Sequence, residues 1–258
     1  GCSSNFLITV NATNHFDVRD PSTAYGDTTV DLGAPGRNVS CLAPNNGYSS
    51  LSGSSAAAPH VAGAIGLLID GGNEAFISLY TNMPDSGAAV LKDVLLQSVD
   101  LLPSMQDSSV SGGRLNVANA LGALESFQSS LPSCFAPYRL ASQTLSDTSI
   151  NFLWKGPEAD SFLIRYRLRG NTWDSISSAN LSLTLENLTP CSIYDWQVLA
   201  YCRNDTSNWS SVKIAQTFGC CIPPERAYPI STNGDTIILS WRPIYGVASY
   251  SLRWQLTD

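Results

Sequence analysis

The chain is poor in charge, poor in histidine and without a long apolar run. Only 14% of its 258 residues are charged, against about a quarter in an ordinary soluble protein. With 14 Lys and Arg against 21 Asp and Glu the net charge is −7, the wrong sign for nucleic acid or an anionic membrane surface. The longest apolar stretch, Val61 to Ile69, is interrupted by Gly63 and Gly66 and is too short to span a bilayer, so no membrane span is expected. There is no Cys-x-x-Cys and there are only two His, which argues against a zinc site, and no metal or cofactor is expected. An initiator Met, a basic n-region and an apolar h-region are also missing ahead of Gly1-Cys2-Ser3-Ser4. The expectation is an excerpt of a longer protein, or one from which a signal peptide has been removed.

What the chain does contain is seven cysteines in a background rich in Ser, Thr and Asn. That combination points to disulfides and an oxidising, extracellular or cell-surface location. At this length about two domains are expected. Residues 1–130 read as α/β. Phe6–Val10 and Thr28–Leu32 are apolar, β-branched runs of buried-strand type. Ser55–Asp70, Asp85–Ser98 and Leu115–Leu124 carry helical spacing. A polar junction with Pro132 follows at 127–135, and there the pattern changes to short alternating runs separated by turn residues. The clearest strands of this all-β part are Ser149–Trp154, Ser161–Arg167 and Ile193–Cys202.

The all-β part repeats. Cys134-Phe-Ala-Pro-Tyr-Arg and Cys221-Ile-Pro-Pro-Glu-Arg precede Trp154 and Trp241 by the same interval, and matching strands follow each Trp. The organisation expected is one complete module at 134–220 and the start of a second, truncated one at 221–258.

The chemistry concentrates in Gly53-Ser-Ser-Ala-Ala-Ala-Pro-His-Val-Ala-Gly63. A Ser at the start of a helix sits where unpaired backbone N–H groups and the positive end of the dipole converge, a place that stabilises a developing oxyanion. Pro59 is expected to be harmless in a first turn without amide partners, and the alanines and glycines to let the helix approach a sheet closely. The bland reading of Ser55 is a helix cap. Two further stretches, Asp31-Leu-Gly-Ala-Pro-Gly36 and Gly113-Arg-Leu-Asn-Val-Ala118, flank the motif in order. Together the three resemble the C-terminal, nucleophile-bearing part of subtilisin-like serine proteases, whose usual motif is Gly-Thr-Ser-Met-Ala-x-Pro-His-Val-Ala-Gly. Ser54 stands here for the Thr and Ala56 for the Met. The resemblance implies that Ser55 is the nucleophile and that its N–H is one oxyanion donor. It also implies protein or peptide substrates, and a partial parallel sheet with helices. An α/β-hydrolase elbow does not fit, because position 57 is Ala and the acid and base would have to follow the Ser.

In that family the Asp and His of the triad precede the Ser. His15, in Asn-His-Phe, is not in the His-Gly-Thr context of the base, and ahead of Ser55 there is neither an Asp-Thr-Gly nor the Gly-Asn of the side-chain oxyanion donor. His60 is expected to be structural and His15 a surface residue. Without a base Ser55 is not activated, so the chain alone is expected to be inert.

The second part resembles a fibronectin type III-like sandwich. Leu188-x-Pro190-x-x-x-Tyr194 looks like its tyrosine corner, and Tyr194, Trp196, Val198 and Ala200 would alternate into the core with Trp154. The resemblance implies Cys134–Cys202 and Cys191–Cys220 bridges, with Cys221 left for a partner beyond the chain and Cys2 for Cys41. Two functions remain open. One is a secreted serine endopeptidase whose modules bind cell-surface or polymeric ligands or act as spacers. The other is a non-enzymatic extracellular binding or adhesion protein with a decayed protease part.

Overall fold

Ala12, Leu32 and Ala34 have no solvent exposure, and the two strands that carry them lie side by side in the middle of the first unit. The computed structural model describes residues 4–220, 228–233, 236–241, 250 and 252, and the chain divides into two compact units, Gly1–Ala136 and Pro137–Asp258.

In the first unit β1 (Val10–Thr13) pairs in parallel with β2 (Leu32–Pro35). An antiparallel hairpin follows, β3 (Val39–Ala43) and β4 (Gly47–Leu51). The helices are α1 (Ser54–Asp70), α2 (Glu74–Asn82), α3 (Pro84–Gln97) and, after two short strands, α4 (Val117–Gln128). The short strands are β5 (Asp100–Leu101) and β6 (Gly113–Arg114), and the sheet order is β1-β2-β6-β5. The sheet is mixed rather than wholly parallel, because β5 joins β6 antiparallel. The loop between them is too short for the crossover that a parallel pair needs.

Both sheet strands begin later than the apolar runs suggest. Phe6 and Leu7 are exposed, at 50% and 41%, and Thr29 and Val30 donate to the Gly26 carbonyl in a turn. The turn hands over to β2 at Asp31, whose carboxylate accepts from the Thr9 N–H at 2.7 Å and the Thr9 hydroxyl at 2.8 Å and pairs with Lys92 at 3.0 Å. Burial works to raise the Asp31 pKa, but those donors and the Lys92 charge outweigh it and hold it below the ordinary value. Helix α2 and the β3–β4 hairpin have no counterpart in the sequence reading. Helix α2 is short, and Asn73 caps it by accepting from the Phe76 N–H at 2.9 Å; the hairpin is largely solvent-facing, with Leu42 and Tyr48 more than 80% exposed.

In the second unit, β7 (Tyr138–Thr144), β8 (Ile150–Lys155) and β11 (Ser182–Leu185) form one antiparallel sheet in the order β11-β8-β7. The other holds β9 (Ser161–Leu168), β10 (Asp174–Ser178), β12 (Ile193–Cys202), β13 (Asp205–Thr206) and β14 (Lys213–Gln216), with β12 at its centre. Period-2 alternation places Tyr194, Trp196, Val198 and Ala200 in the core with Ile150, Phe152, Trp154 and Ile164, as expected. Trp196 stacks on Phe152 with ring centroids 4.2 Å apart. The tyrosine corner forms: the Thr189 N–H donates to Tyr194 Oη at 2.8 Å.

Between β13 and β14 the chain stays bonded to β12 through backbone and side chains together: the Ser207 and Ser210 N–H groups donate to the Ala200 and Val198 carbonyls at 3.0 and 2.8 Å. The Ser207 and Ser210 hydroxyls accept from the Ala200 and Val198 N–H groups at 2.9 and 3.0 Å. This seats Trp209 against Arg165, whose guanidinium is 4.2 Å from that ring and 4.8 Å from Trp173.

Cys191 and Cys220 are bridged, with Cα atoms 4.4 Å apart, and Cys134 and Cys202 are also disulfide-bonded. Cys41 is a free thiol, its sulfur 3.2 Å from Ser49 Oγ. The expected bridge from Cys41 to Cys2 is therefore not made; Cys2 and Cys221 lie outside the described residues. Of the second module, Tyr228–Asn233 and Thr236–Ser240 form an antiparallel pair, β15 and β16, and apart from Trp241, Tyr250 and Leu252 the rest lies outside the described residues.

Candidate functional site

Helix α1 owes its position to a stripe of buried residues, Ala57, Val61, Ala64 and Leu68, spaced to face the sheet. These, rather than the glycines, make the close approach. Gly63 and Gly66 have nothing within 4 Å of where a Cβ would stand. Pro59 lies inside the helix, in the second turn rather than the first. Its missing N–H would have bonded to the carbonyl four residues back, so the Ser55 C=O loses its helical partner.

The start of α1 is open. Its N-cap, Gly53, has φ 115° and no side chain to offer, a backbone conformation that favours glycine. Helices α2 and α4, by contrast, are capped by Asn73 and Asn116. In α1 the Gly53 carbonyl accepts from the Ala56 and Ala57 N–H groups at 3.0 and 3.3 Å. The Ser54 and Ser55 N–H groups, and Ser55 Oγ, have no hydrogen-bond partner among the described residues. Ser55 is exposed while Ala56 and Ala57 behind it are buried. A hydroxyl there can meet a carbonyl carbon while the adjacent amides, aligned with the helix dipole, face the oxygen that gains charge.

The histidines do not join it. His60 Nδ1 lies 2.9 Å from the Ala56 carbonyl oxygen; a carbonyl only accepts, so Nδ1 is the donor and the ring is tied to its own helix. His60 and Ala56 line a hollow of about 320 Å³ together with Cys41, Leu51 and Pro59. The His15 ring lies tilted against its neighbour Phe16, with centroids 3.8 Å apart, on a loop whose Phe16 is 74% exposed. Among the described residues no three His, Cys, Asp or Glu side chains gather into a metal-binding group, and no helix is long and apolar enough to cross a membrane.

The flanking motifs act as supports. Leu115 N–H donates to the Gly33 carbonyl at 2.8 Å, stitching β6 to β2. Asn116 accepts from the Asn119 N–H at 3.0 Å as the cap of α4 and donates Nδ2 to Asp100 at 2.8 Å. Arg114 pairs with both Asp17 and Asp100. The Asn116 amide, then Arg114, hold the Asp100 carboxyl below its usual range against a smaller opposing effect of burial.

Comparison with known proteins accounts for this arrangement. Residues 1–123 match the subtilase family. The first unit is a subtilase region. Residues 135–213 match the fibronectin type III domain, which agrees with the sandwich and its corner. The subtilase region is 43% identical over 68 residues to thermitase of Thermoactinomyces vulgaris, covering 26% of this chain and 24% of that protein. It is 33% identical over 111 residues to the cell wall-associated protease of Bacillus subtilis, covering 43% and 11%. Subtilisin-like protease 1 of Plasmodium falciparum is 32% identical over 108 residues, covering 42% and 14%. The chain thus spans between 11% and 24% of the length of these three relatives. Among solved structures, the FN5 domain of Drosophila Lar aligns with 33% of this chain and 98% of its own at 24% identity, with a TM-score of 0.31. The Gly53 N–H donates to the Gly36 carbonyl at 2.7 Å and fastens the start of α1 to the end of β2, a contact that spacing within either motif does not signal.

Proposed function

We propose that the chain is the nucleophile-bearing part of a secreted serine endopeptidase, with Ser55 as nucleophile and its own N–H as an oxyanion donor, carrying a fibronectin type III-like module that binds or spaces. The observation that carries this reading is the uncapped start of α1, where an exposed Ser55 is flanked by amides with no other partner. In the reaction Ser55 Oγ attacks the scissile carbonyl carbon and its proton passes to a base, while the carbonyl oxygen, now negative, is met by the Ser55 N–H. The base is not among the residues gathered at the site: His60 is bonded to its own helix and His15 stands on a surface loop. The reading therefore assigns the base, its orienting Asp and the side-chain oxyanion donor to other parts of the protease. Protein or peptide substrates follow from the subtilase relationship, and the extracellular location is supported by the disulfide-bonded cysteines.

The test is Ser55→Ala in the full-length protease. Proteolysis of a casein-type substrate should fall by at least about 10³-fold, leaving the residual effect of binding and oxyanion donors. A near-unchanged rate would refute the assignment.

A further inference from the structure

We propose that Gly36 is a positioning residue for Ser55, acting through Gly53; this rests on the nucleophile reading above. Gly36 closes the Asp31–Gly36 stretch and is held from both sides. Its N–H donates to the Thr13 carbonyl at 3.0 Å, at the end of β1, and its carbonyl accepts from the Gly53 N–H at 2.7 Å, at the cap of α1. It is thus the link through which the sheet sets the height and direction of the helix start.

There is no room for a side chain in that link. A Cβ on residue 36 would stand 2.5 Å from Ala12 Cβ, 2.8 Å from the Gly53 carbonyl oxygen and 3.0 Å from Ala57 Cβ. None of these can rotate away, since two are Cβ atoms fixed to their backbones and the third is backbone itself. The Gly53 oxygen is also the acceptor for the Ala56 and Ala57 N–H groups, the first hydrogen bonds of α1. A methyl group at 36 therefore pushes on the atom that starts the helix. Gly53 has no capping side chain to hold the first turn in another way, so the Gly36 contact decides where the Ser54 and Ser55 amides point.

The test replaces Ser55 by Cys in the 258-residue chain and follows its alkylation by iodoacetamide from about pH 6 to pH 10, reading the residue-55 peptide by mass spectrometry. A thiol at an open helix N-terminus ionises below the ordinary value of about 8.5. Ser55→Cys should show a midpoint lowered by about one unit or more, and Gly36→Ala added to it should return the midpoint towards about 8.5 with the circular dichroism unchanged. A midpoint that stays low in the folded double variant overturns the role of Gly36 alone. An ordinary midpoint in Ser55→Cys itself overturns the anion-stabilising helix start, and this inference with it. A second measurement needs no substitution: the Gly53 amide in the unaltered chain should exchange within about tenfold of the Ala64 amide inside α1. Exchange at the rate of a free loop amide would overturn the clasp, whether or not Gly36→Ala folds.

Discussion

Asp20 is almost wholly buried, with 3% of its surface exposed. Its carboxylate accepts from the Ser22 N–H at 3.0 Å and the Ser22 hydroxyl at 2.7 Å and pairs with Arg37 at 2.9 Å. The Ser22 amide, then its hydroxyl, then Arg37 lower the Asp20 pKa to about 2. Since the folded value lies below the unfolded one, the stabilisation is complete above the ordinary carboxylate range and is lost as the pH falls from about 4 to about 2. Thermal melts should show Asp20→Asn less stable than the unaltered chain at neutral pH, with the two curves meeting near pH 2. Equal acid sensitivity in both would count against the bonds described. Tyr194 gives a second residue-scale expectation. Tyr194→Phe leaves the Thr189 N–H without its acceptor, and should cost about 1–3 kcal/mol in urea unfolding of the second unit.

Helix α1 and strand β12 show opposite uses of one element. Strand β12 is buried along nearly its whole length and spends both faces on structure. Trp196 is fully buried against Phe152, so Trp196→Ala should destabilise the second unit by roughly 3–5 kcal/mol, measured by denaturant titration followed by far-UV circular dichroism. The bridge from Cys191 to Cys220, 29 residues apart, closes a loop worth about 3–4 kcal/mol in the chain-entropy model. Replacing both cysteines by Ala should lower the urea midpoint accordingly, and an unchanged midpoint would mean that the unfolded chain gains no freedom from losing the bridge. Helix α1 packs with one stripe only and leaves its first turn uncapped. An engineered Gly53→Asp would offer a capping carboxylate, but φ 115° at that position strains any side chain, so destabilisation is the expected outcome.

At the scale of the whole molecule, the proposed activity calls on a base that the described residues do not bring to Ser55. The 258-residue chain should hydrolyse no peptide and take up no serine-directed phosphonate, because neither histidine is brought to Ser55 as a base among the described residues. Intact-mass analysis after prolonged incubation checks this, and stoichiometric labelling at Ser55 would overturn it. The same experiment on the full-length protease should label Ser55 once per molecule.

Local chemistry made much of this protein legible in its sequence. Alternation along Ile193–Cys202 sorted the core of the second unit, because side chains of a strand take opposite faces whatever surrounds them. Gly53–Gly63 announced a helix with a Ser at its open end, because capping and dipole effects act within a single turn. What the sequence could not decide was anything set by contacts between distant segments. The onset of β1 and β2 depends on how Thr9 meets Asp31 and on the turn at Gly26. The antiparallel entry of β5 depends on how far the loop after it can reach. Cys41 is a free thiol on a solvent-facing hairpin, which cysteine counting does not reveal. The space around Gly36 exists only once Ala12, Gly53 and Ala57 converge on it. Motifs name the atoms that can do chemistry, and long-range packing sets the few tenths of an ångström that decide where those atoms point.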